Sequence, residues 1–162
     1  MEIEPEQAYR RAMGAFATGV TVVAADAPRG VSGITVNSLT SVSLKPRLLL
    51  WCLGDESARY EVFAHAEDWG VTVLSANERA LALRFARAET EGVAPEEAEA
   101  FGAAPILKAG IAWFACRTRE RRKAGDHLII IGEVLDFRVK RGAALTFYRG
   151  LYGHLGDPRE ET

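Results

Sequence analysis

The sequence predicts a mainly β fold with some α structure: a Greek-key β-barrel with a few helices covering its ends. Its strand-like segments number about six or seven, each short, apolar and rich in β-branched residues, and most are joined by short turns. Only about three segments carry helical spacing. Strand and helix do not alternate as a parallel βαβ fold requires.

The 162 residues fit a single domain over 1–162, ending in a polar tail from about residue 156. Hydrophobic residues make up 48% and charged residues 26%, which excludes a disordered chain, a collagen and a coiled coil. Twenty basic residues against twenty-two acidic ones leave a net charge of −2, so overall charge points to no nucleic acid. No stretch approaches the ~20 apolar residues of a membrane span. The opening Met1-Glu2-Ile3-Glu4-Pro5 is acidic and lacks an apolar signal core, so a cytoplasmic location is expected. Cys52 and Cys116 lie far apart among apolar residues, and both are expected as buried free thiols.

Pro5 to Phe16 reads as a short helix with Tyr9, Ala12, Met13 and Phe16 sharing one face; Pro5 suits the first turn and Gly19 a stop. Val20–Ala25 is β-branched and apolar, and Asp26, Pro28 and Gly30 turn the chain. Val31–Val36 and Leu48–Leu53 follow as strands separated by Pro46, the second expected to be buried on both faces. Ser57 is placed to cap a short helix through His65. Trp69–Leu74 returns as a strand. Ser75 and Glu78 form a capping box, with the Ser75 hydroxyl accepting from the Glu78 amide. The helix it starts has Leu81, Ala82 and Phe85 as its inner stripe. Glu89–Glu99 holds five glutamates and Pro95 and reads as a solvated excursion. Ile111–Cys116 opens a strand that turns basic at Arg117. Gly125 and Asp126 reverse it into His127–Arg138, and Gly142 precedes a last strand, Leu145–Tyr148.

Chemistry has few footholds. His65, His127 and His154 are scattered, and no Cys or His stands at ligand spacing, so no metal site is expected. No serine sits in a nucleophile elbow, and neither a Walker loop nor a G-x-G-x-x-G fingerprint is present. Gly33 to Ser41 is a segment of small and polar residues between a strand and a proline. It reads as a hydrogen-bonded loop over the barrel end or as a ligand site, with Gly33 admitting a flat ligand to the backbone. Arg84 beside Phe85 is either an ion-paired helix arginine or a phosphate-binding fork. Ser57 either caps a helix or helps it hold an anion. His127 leaves a tight turn, and Tyr148-Arg149-Gly150-Leu151-Tyr152 sets two aromatics around an arginine.

In this order, these pieces resemble the flavin reductase-like family, the small reductase components of two-component flavin-dependent monooxygenases. Ala12–Val23 is similar to the family's first helix and strand, and Thr35–Ser43 to its flavin-cradling segment. Arg84-Phe85-Ala86, Gly125-Asp126-His127 and Tyr148-Arg149-Gly150 resemble its later motifs; the likeness covers roughly residues 8–155. It implies an FMN-binding split barrel working as a homodimer. The activity implied is NAD(P)H:flavin oxidoreduction, with FMN or FAD and NADH or NADPH, and with reduced flavin passing to a separate oxygenase. By the same likeness, Gly33, Ile34, Thr35, Asn37 and Ser38 lie along the flavin, and Cys52, Leu53 and Gly54 flank it. Ser57, Arg59 and Arg84 surround its phosphate end, and Phe85 belongs to the cofactor-binding set. His127, Tyr148, Arg149 and Tyr152 face the nicotinamide nucleotide, with His127 nearest the hydride. Two other readings of the barrel are a non-enzymatic flavin- or haem-binding protein and a pyridoxamine-phosphate-type oxidase.

Overall fold

The computed structural model describes residues 4–88 and 92–158. The start of the glutamate-rich excursion, 89–91, and the last of the polar tail, 159–162, lie outside the described residues. Helix α1 (Pro5–Met13) leads into β1 (Thr18–Gly19), β2 (Thr21–Ala27), β3 (Gly30–Val36), β4 (Thr40–Leu44) and β5 (Arg47–Gly54). Then come α2 (Tyr60–His65), β6 (Asp68–Val73) and α3 (Arg79–Ala86). The chain finishes with β7 (Ala98–Phe101), β8 (Ala104–Leu107), β9 (Ala112–Ala124), β10 (His127–Val139), β11 (Ala144–Tyr148) and β12 (Leu151–Leu155).

Seven strands pair antiparallel in the order β3-β2-β6-β9-β10-β5-β4. The two outer strands, β3 and β4, are consecutive in sequence and joined only by Asn37, Ser38 and Leu39. A flat sheet of this width would hold them about 29 Å apart at ~4.8 Å per pairing. The chain from Val36 to Thr40 reaches at most about 14 Å. The sheet therefore curls into a barrel with an unpaired seam, and the 37–39 loop crosses that seam. The Ser38 hydroxyl accepts a hydrogen bond from the Cys52 amide at 3.0 Å and so ties the loop to β5. A second sheet, β1-β11-β12, closes one side, and β7-β8 form a separate hairpin.

Two apolar clusters fill the interior. One gathers Trp51, Leu53, Phe63, Trp69, Val71 and Ile130, with Trp51 edge-on to both Phe63 and Trp69. The other sets Phe85 and Ala82 of α3 against Val22, Leu74, Leu107 and Leu145.

Several expectations need correction. β5 is not buried on both faces: Leu49, Trp51 and Leu53 point into the core, whereas Leu48, Leu50 and Cys52 are half-buried on the barrel's outer face. Helix α1 stops at Gly14, whose amide donates to the Arg10 carbonyl, rather than at Gly19. None of its residues is buried, and Tyr9, Met13 and Phe16 of its apolar stripe are exposed. Only half of the capping box forms. The Glu78 carboxylate accepts from the Ser75 amide at 2.6 Å, while the Glu78 amide donates to the Ser75 carbonyl instead of its hydroxyl. The helix accordingly starts later, at Arg79. Cys52 is half-buried rather than buried, and both thiols are free.

Candidate functional site

The site follows from strand register. On an antiparallel pair, directly opposed residues share a face, and along each strand that face recurs every second residue. Leu50, Cys52 and Gly54 of β5 stand opposite Ile131, Ile129 and His127 of β10. All six lie on the outer face, away from Trp51, Leu53, Leu128 and Ile130, and all but the more exposed His127 are half-buried. The result is a low apolar platform with His127 at one end and the seam loop at its side.

Gly54 keeps the His127 end open. A Cβ added there would stand 3.6 Å from His127 Nε2. The ring's other nitrogen, Nδ1, lies 2.8 Å from Asp126 Oδ1, and the histidine holds the Asp126 carboxyl below the ordinary carboxylate range. The Asp55 amide donates to the Asp126 carbonyl at 3.0 Å, and Lys123 pairs with Asp55. These contacts tie the β9–β10 turn to the end of β5. Burial pushes the Cys52 thiol up, partly offset by its bond with Ser38, which leaves a protonated, weakly nucleophilic group.

Beyond Gly54 the chain turns through Ser57. Its amide donates to the Gly54 carbonyl at 3.1 Å and its hydroxyl accepts from the Arg59 amide at 3.2 Å. The helix Ser57 was expected to cap starts three residues on, at Tyr60. The Arg59 guanidinium donates at 2.8 Å to the carbonyls of Phe85 and Arg87, and also reaches Ala88. It thus caps the C-terminal end of α3, where unpaired carbonyls concentrate negative charge. Burial lowers its pKa from the ordinary arginine value. Arg84 is engaged as well: its two terminal nitrogens donate to Glu97 at 3.0 and 2.6 Å.

Gly33 and the side chains of Ile34, Thr35, Leu53 and Phe85 face elsewhere. Gly33 faces the buried Phe85 ring, so its bareness serves helix packing and not a ligand. Ile34 packs against the first core cluster, and Leu53 and Phe85 are fully buried. The Thr35 hydroxyl donates to the Ala82 carbonyl at 2.8 Å. Asn37 is exposed in the seam loop.

A cleft of about 680 Å³ opens on the seam loop's other side, between Asn37 and Ser38 and the stretch from α1 to Gly19. Sequence reasoning missed Thr18 on its wall, whose buried hydroxyl has no hydrogen-bond partner among the described residues. Tyr148, Arg149 and Tyr152 belong to the β11–β12 hairpin beside this cleft rather than to the His127 end. The Arg149 amide donates to the Gly14 carbonyl at 2.8 Å, and Arg149 adopts a left-handed φ of 49°. The Tyr152 and Phe147 rings meet at a tilt of 59°, their centroids 5.2 Å apart. Among the described residues, no three His, Cys, Asp or Glu side chains form a metal-holding group.

Residues 13–156 match the flavin reductase like domain. The chain is 40% identical to the FMN reductase (NADH) SmoA of Agrobacterium fabrum, over 93% of this chain and 86% of that protein. It is 38% identical to the reductase component of the flavin-dependent trigonelline monooxygenase of Acinetobacter baylyi, over 88% of this chain but 47% of that protein. It thus spans about half that relative's length. The flavin reductase PheA2 superposes with a TM-score of 0.86 at 33% identity, covering 95% of this chain and 99% of that one. The NADH:FAD oxidoreductase SgcE6 of Streptomyces globisporus, in complex with NAD and FAD fragments, gives 0.87 at 28% identity, covering 98% of each chain. With both sequence and fold agreeing over nearly its whole length, the chain belongs to the flavin reductase like domain family.

Proposed function

We infer that this chain is an NAD(P)H:flavin oxidoreductase: it passes a hydride from reduced nicotinamide to FMN or FAD and supplies reduced flavin to a separate monooxygenase. The observation that carries this reading is the platform formed by Cys52, Gly54, Ile129 and His127. It is largely apolar, and bare backbone at Gly54 lies beside a histidine. Such a surface suits a planar ring, and the seam loop beside it offers the exposed carboxamide of Asn37, the Ser38 hydroxyl and backbone amides for the ring's polar edge. Flavin, when bound, supplies the hydride-accepting chemistry.

The chain's own task is then to align two flat rings and exclude the rest. Asn37 and Ser38 hold the flavin edge, with backbone from Ile34 and Thr35 approaching it. Cys52, Leu53 and Gly54 contribute through their backbone. Ser57, Arg59 and Arg84 border the end where a flavin tail would lie, and Gly33 and Phe85 support α3 behind it. His127 meets the nicotinamide; its Nδ1 is engaged by Asp126 Oδ1, and its Nε2 stays available for a hydrogen bond. Tyr148, Arg149 and Tyr152 serve the nucleotide from the hairpin side.

A homodimer belongs to the same reading. Tyr9 and Phe16 of the α1 region are 68% and 71% exposed, and Leu44 on edge strand β4 is 81% exposed, an apolar surface that a second copy would cover. Among the described residues, no helix is long and apolar enough to cross a membrane. The two free thiols support a reducing, cytoplasmic location.

The test crosses NADH and NADPH with FMN, FAD and riboflavin and follows nicotinamide absorbance in air. Flavin-dependent oxidation is expected, and no rate above the enzyme-free control with any flavin overturns the reading. Light scattering over a dilution series tests the dimer, and a persistent mass of 17.7 kDa overturns that part.

A further inference from the structure

We propose that Arg122 binds the diphosphate of the nicotinamide nucleotide and so sets the affinity for NADH and NADPH alike. The proposal rests on the flavin reductase reading above and adds a residue that reading does not use.

The platform has a third row. In the β9–β10 pairing, Ala124, Arg122 and Glu120 stand opposite His127, Ile129 and Ile131. Those three in turn stand opposite Gly54, Cys52 and Leu50 of β5. Directly opposed residues share a face, so Arg122 lies on the platform side of the barrel. It is one strand out from Ile129 and one diagonal step, about 7–8 Å, from His127. The register shifts between β9 and β10 begin only beyond Ile131 and leave this placement intact. Of the neighbouring cations Arg121, Arg122 and Lys123, only Arg122 has it. Arg121 and Lys123 stand opposite the buried Ile130 and Leu128, and turn to Ala66, Glu67 and Asp55. β6 pairs with β9 only as far as Arg117, so among the described residues no strand borders Arg122 on its far side.

Arg122 is held loosely. Its Nε and one terminal nitrogen converge on a single oxygen of Glu120, at 3.1 and 3.0 Å, and the arginine side chain is 72% exposed. An exposed pair of this kind contributes little and is readily exchanged. A diphosphate brings more negative charge and several acceptor oxygens, to which a guanidinium fork is well matched. The seam loop, tied to Cys52 through Ser38, occupies the β5 side of the platform, and His127 stands at its end. With the nicotinamide at His127, the charged bridge of the nucleotide must leave the apolar rows for a polar margin. Arg122 supplies a cation on that margin, on the face that carries the rings, and its long side chain covers the diagonal to His127. The diphosphate is common to NADH and NADPH, so both are served.

The experiment measures steady-state kinetics in wild type, R122A, R122K and E120Q, beside a direct flavin titration of each. NADH and NADPH are varied in turn at saturating flavin, at low and at high salt. R122A is expected to raise the KM for both nucleotides about tenfold, the scale of one charge-assisted hydrogen bond, with kcat and flavin affinity within about threefold. R122K should recover part of the loss as a point charge, and E120Q, which frees the fork, should lower the KM about two- to threefold. The wild-type KM should rise with salt more steeply than that of R122A, a difference that a merely structural role would not produce. A KM for NADH within about twofold of wild type in R122A overturns the proposal. So does a loss confined to NADPH, which would assign Arg122 to the 2′-phosphate, or an equal loss of flavin affinity, which would assign it to the platform's own structure. Failure of wild type to oxidise either nucleotide with any flavin overturns the flavin reductase reading itself, and the proposal with it.

Discussion

The Phe85 ring fills the space that a side chain on Gly33 would occupy. A Cβ added to Gly33 would stand 3.0 Å from Phe85 Cδ1 and 3.2 Å from Val93 Cγ2. The glycine makes a notch in β3 into which α3 drops its one fully buried aromatic, while Thr35, two residues along the same face, hydrogen-bonds the Ala82 carbonyl. Helix and strand are thereby fixed in register behind the proposed flavin corner.

Gly33→Val should be destabilising by about 1–3 kcal/mol or more, because a β-branched side chain cannot share the notch with a ring packed on all sides. Denaturant unfolding measures this. Unchanged stability would mean that α3 shifts freely, which its hydrogen bond from Thr35 argues against.

Arg59→Lys should lower stability by about 1–3 kcal/mol although charge is conserved, since one ammonium cannot span the carbonyls of Phe85, Arg87 and Ala88 that the fork serves. Thermal unfolding of the two proteins checks it. A lysine variant as stable as wild type would reduce Arg59 to a general counter-charge for the helix end.

These relationships mark the limit of what the linear order of residues reveals. β2, β3, β5, β6 and the β9–β10 hairpin are legible, because alternation at Ile111–Cys116 and the Gly125–Asp126 turn are local signals. β4 is not: Thr40-Ser41-Val42-Ser43-Leu44 is a polar edge strand whose pairing partner, β5, supplies the order. The β7–β8 hairpin hides beside a glutamate run, and Leu151–Leu155 reads as a motif although it pairs with β11. The stripe on α1 is legible as apolar, but periodicity cannot say that the fold leaves it exposed. In the site, Asn37, Ser38 and His127 stand out by residue type. The opposition of Gly54 to His127 exists only through the β5–β10 register, across more than seventy residues of sequence. Glu97 was indistinguishable from its neighbouring glutamates until the fold brought it to Arg84.

The Arg84–Glu97 pair should make stability depend on pH in the acid range. The Glu97 carboxyl has a lower pKa folded than unfolded, so the pair stabilises the protein above the ordinary carboxylate value. That contribution disappears as pH falls through the lower folded value. Both side chains are about a third exposed, which limits the contribution to at most about 1 kcal/mol after solvent screening. Unfolding of wild type and E97Q at neutral and acid pH tests it: the wild-type advantage at pH 7 should vanish on acidification, and an advantage constant with pH would assign it to packing.

His127→Ala should separate nicotinamide from flavin. The ring stands over Gly54 at the open end of the platform, held by Asp126 on one nitrogen and presenting the other. Losing one hydrogen bond or stacking contact to the nicotinamide should raise the KM for NAD(P)H about 3- to 10-fold, the scale of a neutral hydrogen bond. The kcat should fall less, because hydride transfer needs no protein proton at that instant and the seam loop still aligns the flavin. Flavin affinity should change less again, since Asn37 and Ser38 are untouched. Steady-state kinetics with nicotinamide varied at saturating flavin, beside a direct flavin titration, distinguish the outcomes. Wild-type nicotinamide kinetics in the mutant would make His127 a turn residue only. A collapse confined to flavin binding would instead put the imidazole under the flavin ring, and the Asp126 contact would then orient the cofactor rather than its reductant.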